Sequence, residues 1–133
     1  MGRGHPAAHL LEGSWIATVT PTGGQAPFKA LLTFTTDGGL IQTDTSPEFE
    51  TPGHGEWVRT GDRQFTIGFV NLLFDDQGEF GGTKEIRENI TLNDTSDEYT
   101  GVSRVDFFDA NGNLIRSTSA RTQGTRIHVE PLE

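Results

Sequence analysis

Thr83-Lys84-Glu85-Ile86-Arg87-Glu88-Asn89-Ile90-Thr91-Leu92-Asn93-Asp94-Thr95-Ser96-Asp97-Glu98-Tyr99-Thr100-Gly101-Val102-Ser103-Arg104-Val105 is the stretch that decides the fold. Ile86, Ile90 and Leu92 share every second position, the period of a strand and not of a helix. Asn93 to Asp97 carries side chains that bond back to their own backbone and favour a turn. Beyond it, Tyr99, Gly101, Ser103 and Val105 resume the alternation. Folding the chain back sets Leu92 opposite Tyr99, Ile90 opposite Gly101, Glu88 opposite Ser103 and Ile86 opposite Val105. Each pair keeps the apolar parity, so the segment reads as an antiparallel hairpin with one inward face.

The same grammar extends in both directions. Turn signals at Thr36-Asp37-Gly38-Gly39, Gly61-Asp62, Asp75-Asp76-Gln77-Gly78 and Asp109-Ala110-Asn111-Gly112 separate further alternating runs. Strands are expected over 14–20, 28–35, 40–45, 56–60, 64–74, 83–92, 98–109, 114–122 and 125–129. This is an all-β chain, and a meander of about eight or nine strands closes into an antiparallel up-and-down β-barrel, which removes open edges. Ala7 to Glu12 is expected to add a short helical turn at one mouth. Residues 1–9 read as a flexible leader and 10–130 as one barrel domain.

Two further hairpins define the interior. The Asp75–Gly78 turn sets Ile67 opposite Ile86 and Phe65 opposite Glu88, so Phe65, Ile67, Phe69 and Asn71 point inward. For the last hairpin, a three-residue loop with Gly112 in the left-handed region sets Asp106 opposite Arg116 and Phe107 opposite Ile115. A two-residue Asn-Gly turn would instead set Arg116 across from Phe107. Facing opposite charges favour the first.

Composition narrows the function. The chain has 133 residues, 19 acids against 10 bases and a net charge of -9, which argues against nucleic acid and anionic membrane surfaces. There is no Cys, so thiolate chemistry, disulfides and Cys-based metal sites are excluded. His5, His9, His54 and His128 lack the spacing of a metal site, and no cofactor is expected. The start of the chain has no secretory apolar run, and no stretch matches a membrane-spanning helix, so a cytoplasmic location is expected. Gly78-Glu79-Phe80-Gly81-Gly82 leads into a strand, so it is no phosphate loop.

Glu88 stands out because its strand points it inward between Ile86 and Ile90. Burial raises a carboxyl pKa toward the range of a general acid or base. The alternative is a satisfied structural carboxylate, held by a hydroxyl or an Arg. Tyr99 and His54 are the other candidates for catalysis, His54 because the Gly/Pro-rich stretch 46–55 reads as a long loop over the mouth. Phe28, Phe34, Phe65, Ile67 and Phe69 are expected to line a ligand cavity, with Trp15 at its floor. Ile86, Ile90, Val105 and Phe107 continue that wall, and Asn71 and Ser103 would place polar groups on it. The expected function is binding of a small, mostly apolar ligand in the barrel. The alternative is an isomerase or cyclase acting on a hydrophobic molecule, with Glu88 as general acid or base. Residues 64–74 are apolar on both faces, Val70, Leu72 and Phe74 lying outward, so outside cover is expected, from a homodimer or from the N-terminal plug or the C-terminal tail.

Gly13-Ser14-Trp15 at the opening of the first strand resembles the Gly-x-Trp signature of the lipocalins and the wider calycin superfamily. Leu10-Leu11-Glu12 and the closing Gly124-Thr125-Arg126-Ile127 are similar to small bacterial lipocalin-like proteins. The resemblance implies that Trp15 packs at a closed end beneath an Arg of the last strand, either Arg121 or Arg126. In size, acidity and meander the chain also resembles barrels of the allene-oxide-cyclase kind, which implies the cyclase alternative.

Overall fold

Eight strands follow one another along the chain, and their order in space is their order in sequence. A computed structural model describes residues 10–132. The strands are β1 (Gly13–Pro21), β2 (Phe28–Phe34), β3 (Gly39–Asp44), β4 (Gly53–Arg59), β5 (Gln64–Phe74), β6 (Phe80–Leu92), β7 (Glu98–Phe108) and β8 (Leu114–Arg126). Each pairs antiparallel with the next, and β8 pairs back onto β1 from Pro21–Ala120 to Trp15–Arg126. The barrel is therefore closed. The expected ninth strand is the end of β8, which runs unbroken through Thr125. Of the expected helical turn, residues 7–9 lie outside the described residues, and Leu10 and Leu11 form a bend.

The β6–β7 register is the one the alternation dictates, from Leu92–Tyr99 to Ile86–Val105. The β5–β6 register differs by two: Phe65 faces Ile90, Ile67 faces Glu88 and Phe69 faces Ile86. The turn is wider than expected, Asp75 N–H bonding to Glu79 O at 2.8 Å, and Gly81 is an extra residue before pairing resumes. An even shift keeps every side chain on its face, so Glu88 stays inside.

The β7–β8 pairing corrects the expected register. The turn itself is the three-residue kind, with Gly112 at φ +86° and Asp109 N–H bonded to Asn113 O at 2.9 Å. A bulge follows: Phe108 faces Leu114, but Phe107 faces Arg116, leaving Ile115 unpaired and exposed. Arg116 thus moves to the parity of Phe107, and Asp106 faces Ser117 instead of Arg116. Asp106 is satisfied by Arg87, Arg104 and Ser117 at 2.9, 2.9 and 2.6 Å.

One end of the barrel is solid. Trp15, Phe34, Phe65, Ile67, Ile90 and Tyr99 are buried there. Their rings meet edge to face, Trp15–Tyr99 at 5.1 Å and Trp57–Phe65 at 5.9 Å between centroids. Trp15 donates its indole N–H to Leu11 O at 2.9 Å. Arg126 lies 4.3 Å over the Trp15 ring and donates to Glu12 O at 2.7 Å, Leu10 O at 2.5 Å and Ser96 O at 2.8 Å. Arg126, not the exposed Arg121, closes the barrel floor. Val70, Leu72 and Phe74 are exposed on the outer face of β5, as is Phe80 on β6. Among the described residues no helix is long and apolar enough to cross a membrane.

Arg126 ties three backbone carbonyls from two segments, the entering stretch and the β6–β7 turn, so Arg126→Ala should lower the unfolding free energy by about 2–4 kcal/mol in denaturant titrations, with Arg126→Lys recovering only part.

Candidate functional site

The other end of the barrel is hollow. Where the solid end places Trp and Phe, the inward positions here are Ala17, Ala30, Ala120, Ser103, Thr118 and Thr122. Small side chains from four strands leave a cavity of about 410 Å³. The β1–β2 loop rims it with Gln25, Ala26 and Pro27, and the β3–β4 loop with Thr45 to Glu48. Phe28, Phe69, Ile86, Val105 and Phe107 supply most of the apolar wall. Arg116 stands at the mouth with its guanidinium 4.0 Å over the Phe107 ring.

Glu88 lies deep in this wall and is 5% exposed. Its Oε2 accepts a hydrogen bond from Thr122 Oγ1. Among the described residues its Oε1 makes none, and no cation pairs with it. Burial lifts its pKa from the usual 4.5 to about 7, and the Thr122 bond only partly offsets this. Gly101, one residue pair below on β7, makes the room: a Cβ there would sit 2.3 Å from Glu88 Oε2 and 2.4 Å from Thr122 Oγ1. Tyr99 reaches the same region by lying across Gly124, where a Cβ would meet its ring at 2.2 Å. The Tyr99 hydroxyl makes no hydrogen bond among the described residues, and burial together with the Glu88 charge raises its pKa well above 10. Ser103, across from Glu88, donates to Ala120 O at 3.4 Å.

A second polar group lies toward the mouth. Lys84 of β6 is 5% exposed and bonds Glu50 Oε1 at 2.5 Å and Glu48 Oε1 at 3.3 Å, with Asp44 Oδ2 at 3.9 Å. Asp44 is held further by Gln42 at 2.6 Å and by the Ser46 N–H at 2.9 Å. Its carboxyl is lowered: burial opposes, but these bonds and Lys84 together prevail. Glu50 goes the other way, to about 7, because burial outweighs the pull of Lys84 while Asp44 and Glu48 add repulsion. The cluster ties the β3–β4 loop to the barrel wall.

The residues expected at the site divide between the cavity and the core beneath it, with Tyr99 at the boundary. Glu88, Tyr99, Phe28, Phe69, Ile86, Ser103, Val105 and Phe107 are brought together on the cavity wall. Trp15, Phe34, Phe65, Ile67 and Ile90 lie in the solid half beneath it. Asn71 is fully buried behind the wall, donating to Gln42 Oε1 at 3.1 Å and Thr51 O at 3.0 Å, and so clamps the β3–β4 loop. His54 is not on a mouth loop. It sits on β4 between Ile41 and Val70 and faces outward, because the expected loop shortens: β4 begins at Gly53 and Glu50 already bridges Leu73 of β5. Sequence reasoning missed Lys84, Asp44, Thr122 and Arg116. The first three depend on pairings between distant strands, and Arg116 on the bulge at Ile115. The run of small residues on one parity of β8, Thr118, Ala120 and Thr122, was the available signal for a hollow end.

Among the described residues no cluster of His, Cys, Asp and Glu has the geometry to hold a metal ion. No family model, curated protein or solved structure matches this chain. What the site can do chemically is enclose an apolar body and exchange a proton or a hydrogen bond at one deep carboxyl.

Both raised carboxyls hold a proton more tightly folded than unfolded. Each therefore stabilises the fold below its ordinary value of 4.5, and that contribution is lost as pH rises through about 7. Unfolding free energy should fall by a few kcal/mol between about pH 5 and pH 8. Thr122→Val removes the one bond that favours ionised Glu88, so the carboxyl titration followed by NMR should move above its wild-type midpoint.

Proposed function

We propose that this barrel binds a small, mostly apolar molecule in the cavity and is lipocalin-like in architecture. The closed eight-stranded antiparallel barrel is consistent with that architecture, and Arg126 over Trp15 has the arrangement that the Gly13-x-Trp15 resemblance implies. The observation that carries the reading is the division of the interior. One end of it is packed solid, yet about 410 Å³ beside Phe69, Ile86 and Val105 is left unfilled and open to the mouth. Such a volume lies in the range of small-molecule sites, which combine apolar walls with a few placed polar groups. Burying apolar ligand surface there contributes about 25 cal/mol per Å², from which the cost of immobilising the ligand is subtracted.

A second reading is favoured by Glu88 itself. A carboxyl with pKa about 7 in an apolar cavity that Tyr99 also lines suits proton transfer in an isomerase or cyclase. If the protein converts a bound olefinic or enolisable compound, Glu88→Gln should keep binding and slow turnover by about 10²–10⁴-fold.

Nile red, a neutral apolar fluorophore, should bind with one-to-one stoichiometry and brighten. Ala120→Phe and Ala30→Leu place bulk in the cavity, and each should weaken that binding by about tenfold or more while circular dichroism reports an intact barrel. Undiminished binding in both filled variants would place the dye elsewhere and overturn the reading.

A further inference from the structure

We propose that the ligand is an apolar amine, whose protonated nitrogen sits on Glu88 while its hydrocarbon body fills the cavity. This rests on the reading of the barrel as a small-molecule binder and names the chemistry of the ligand's head.

The argument starts from the donors and acceptors left over on the deep wall. Glu88 Oε1 has no partner among the described residues. The Tyr99 oxygen is likewise unpaired, and the Ser103 oxygen spends only its proton, on Ala120 O. Glu88 and Ser103 are cross-strand neighbours, and Tyr99 lies close enough to feel the Glu88 charge. Three oxygens with unused lone pairs thus belong to residues of one cavity wall, and among the described residues the Tyr99 hydroxyl also keeps its proton unspent. An acceptor-rich pocket matches a head with several donors. An alkylammonium brings three N–H groups and no acceptor; an alcohol brings one donor.

Charge points the same way. A carboxylate this deep is normally paired with a cation. Here neither cation of the cavity supplies that charge. Lys84 is engaged by Glu50, Glu48 and Asp44, and Arg116 is stacked on Phe107 at the mouth. Glu88 is therefore left to a cation that arrives with the ligand. A fatty acid seated head-down would bring a second negative charge against it. Seated head-up, it would leave the deep oxygens facing hydrocarbon.

Glu88 faces Ile67 of β5, Ser103 and Tyr99 of β7, and Thr122 of β8. Of these only Tyr99 titrates, and its proton is held well above pH 10. Lys84, Asp44, Glu48 and Arg116 border the cavity nearer its mouth, with Glu50 behind them. A simple alkylamine stays protonated until about pH 10. Binding should therefore strengthen as Glu88 ionises with rising pH.

The test compares octylamine, octan-1-ol and octanoate on the full chain by isothermal titration calorimetry. At about pH 8 the amine should bind about tenfold or more tighter than the alcohol, the scale of one charge-assisted hydrogen bond, and the acid weakest. At about pH 5, with Glu88 protonated, the amine preference should fall toward unity. In Glu88→Gln the amine-to-alcohol ratio should be near one at both pH values. The wild-type series stands alone if that variant fails to fold. An amine no tighter than the alcohol, an amine preference that persists unchanged at about pH 5, or octanoate binding tightest overturns the proposal. Nile red binding distinguishes the two failures: dye bound with no amine preference sinks the amine alone, whereas a cavity that takes neither dye nor any octyl compound sinks the binder reading with it.

Discussion

Closure of a ring of hydrogen-bonded strands is the constraint on which everything else in this molecule depends. Once β8 pairs with β1, every strand has one face turned to a shared interior and one turned out. Side chains then have no third option. Glu88 cannot swing to water without moving Ile86 and Ile90 out with it. The ring thus converts a two-residue period into a fixed interior address for each inward residue. Arg126 secures the point where the ring is sealed, bonding carbonyls of the entering segment and of the β6–β7 turn while covering Trp15.

Within that ring, side-chain volume sets where the interior is full. Large aromatic and branched residues from β1, β2, β5, β6 and β7 fill one half, and alanines, serine and threonines leave the other half open. Unfilled apolar space forgoes dispersion contacts and costs stability. Burying Glu88 adds to that: a rise from 4.5 to about 7 corresponds to about 3 kcal/mol disfavouring its charged form. The two costs fall side by side, at one deep spot reached from one mouth. Features that weaken a fold and coincide in a cavity are the expected mark of a binding site.

The mouth has its own electrostatic logic. Three carboxylates converge on Lys84, and burial above all, with a smaller repulsion from Asp44 and Glu48, raises Glu50. Asn71, Gln42 and the Glu50–Leu73 bridge fasten the same loop to β3 and β5. The segment that reads in sequence as a long loop over the mouth is thereby fastened to the wall. Glu88 and Glu50 lose their protons over the same pH range, one in the cavity and one in its rim.

Alternation along 83–105 was enough to make the chain all-β, to pair β6 with β7 residue for residue and to turn Glu88 inward, because a strand's faces follow from local parity. Gly13, Trp15 and a late Arg were visible too, although which Arg meets the ring was not. Tertiary structure alone decided the rest. The bulge at Ile115 rotated Arg116 onto the cavity side, an outcome of packing in the closed ring that the turn residues do not encode. His54 went outward for a similar reason: Glu50 and Thr51 found partners on β5, and a loop became an extension of a strand. Whether Glu88 would meet a cation, and whether the barrel would be hollow, both turn on volumes and contacts between residues far apart in the chain. A periodic pattern carries no information about them.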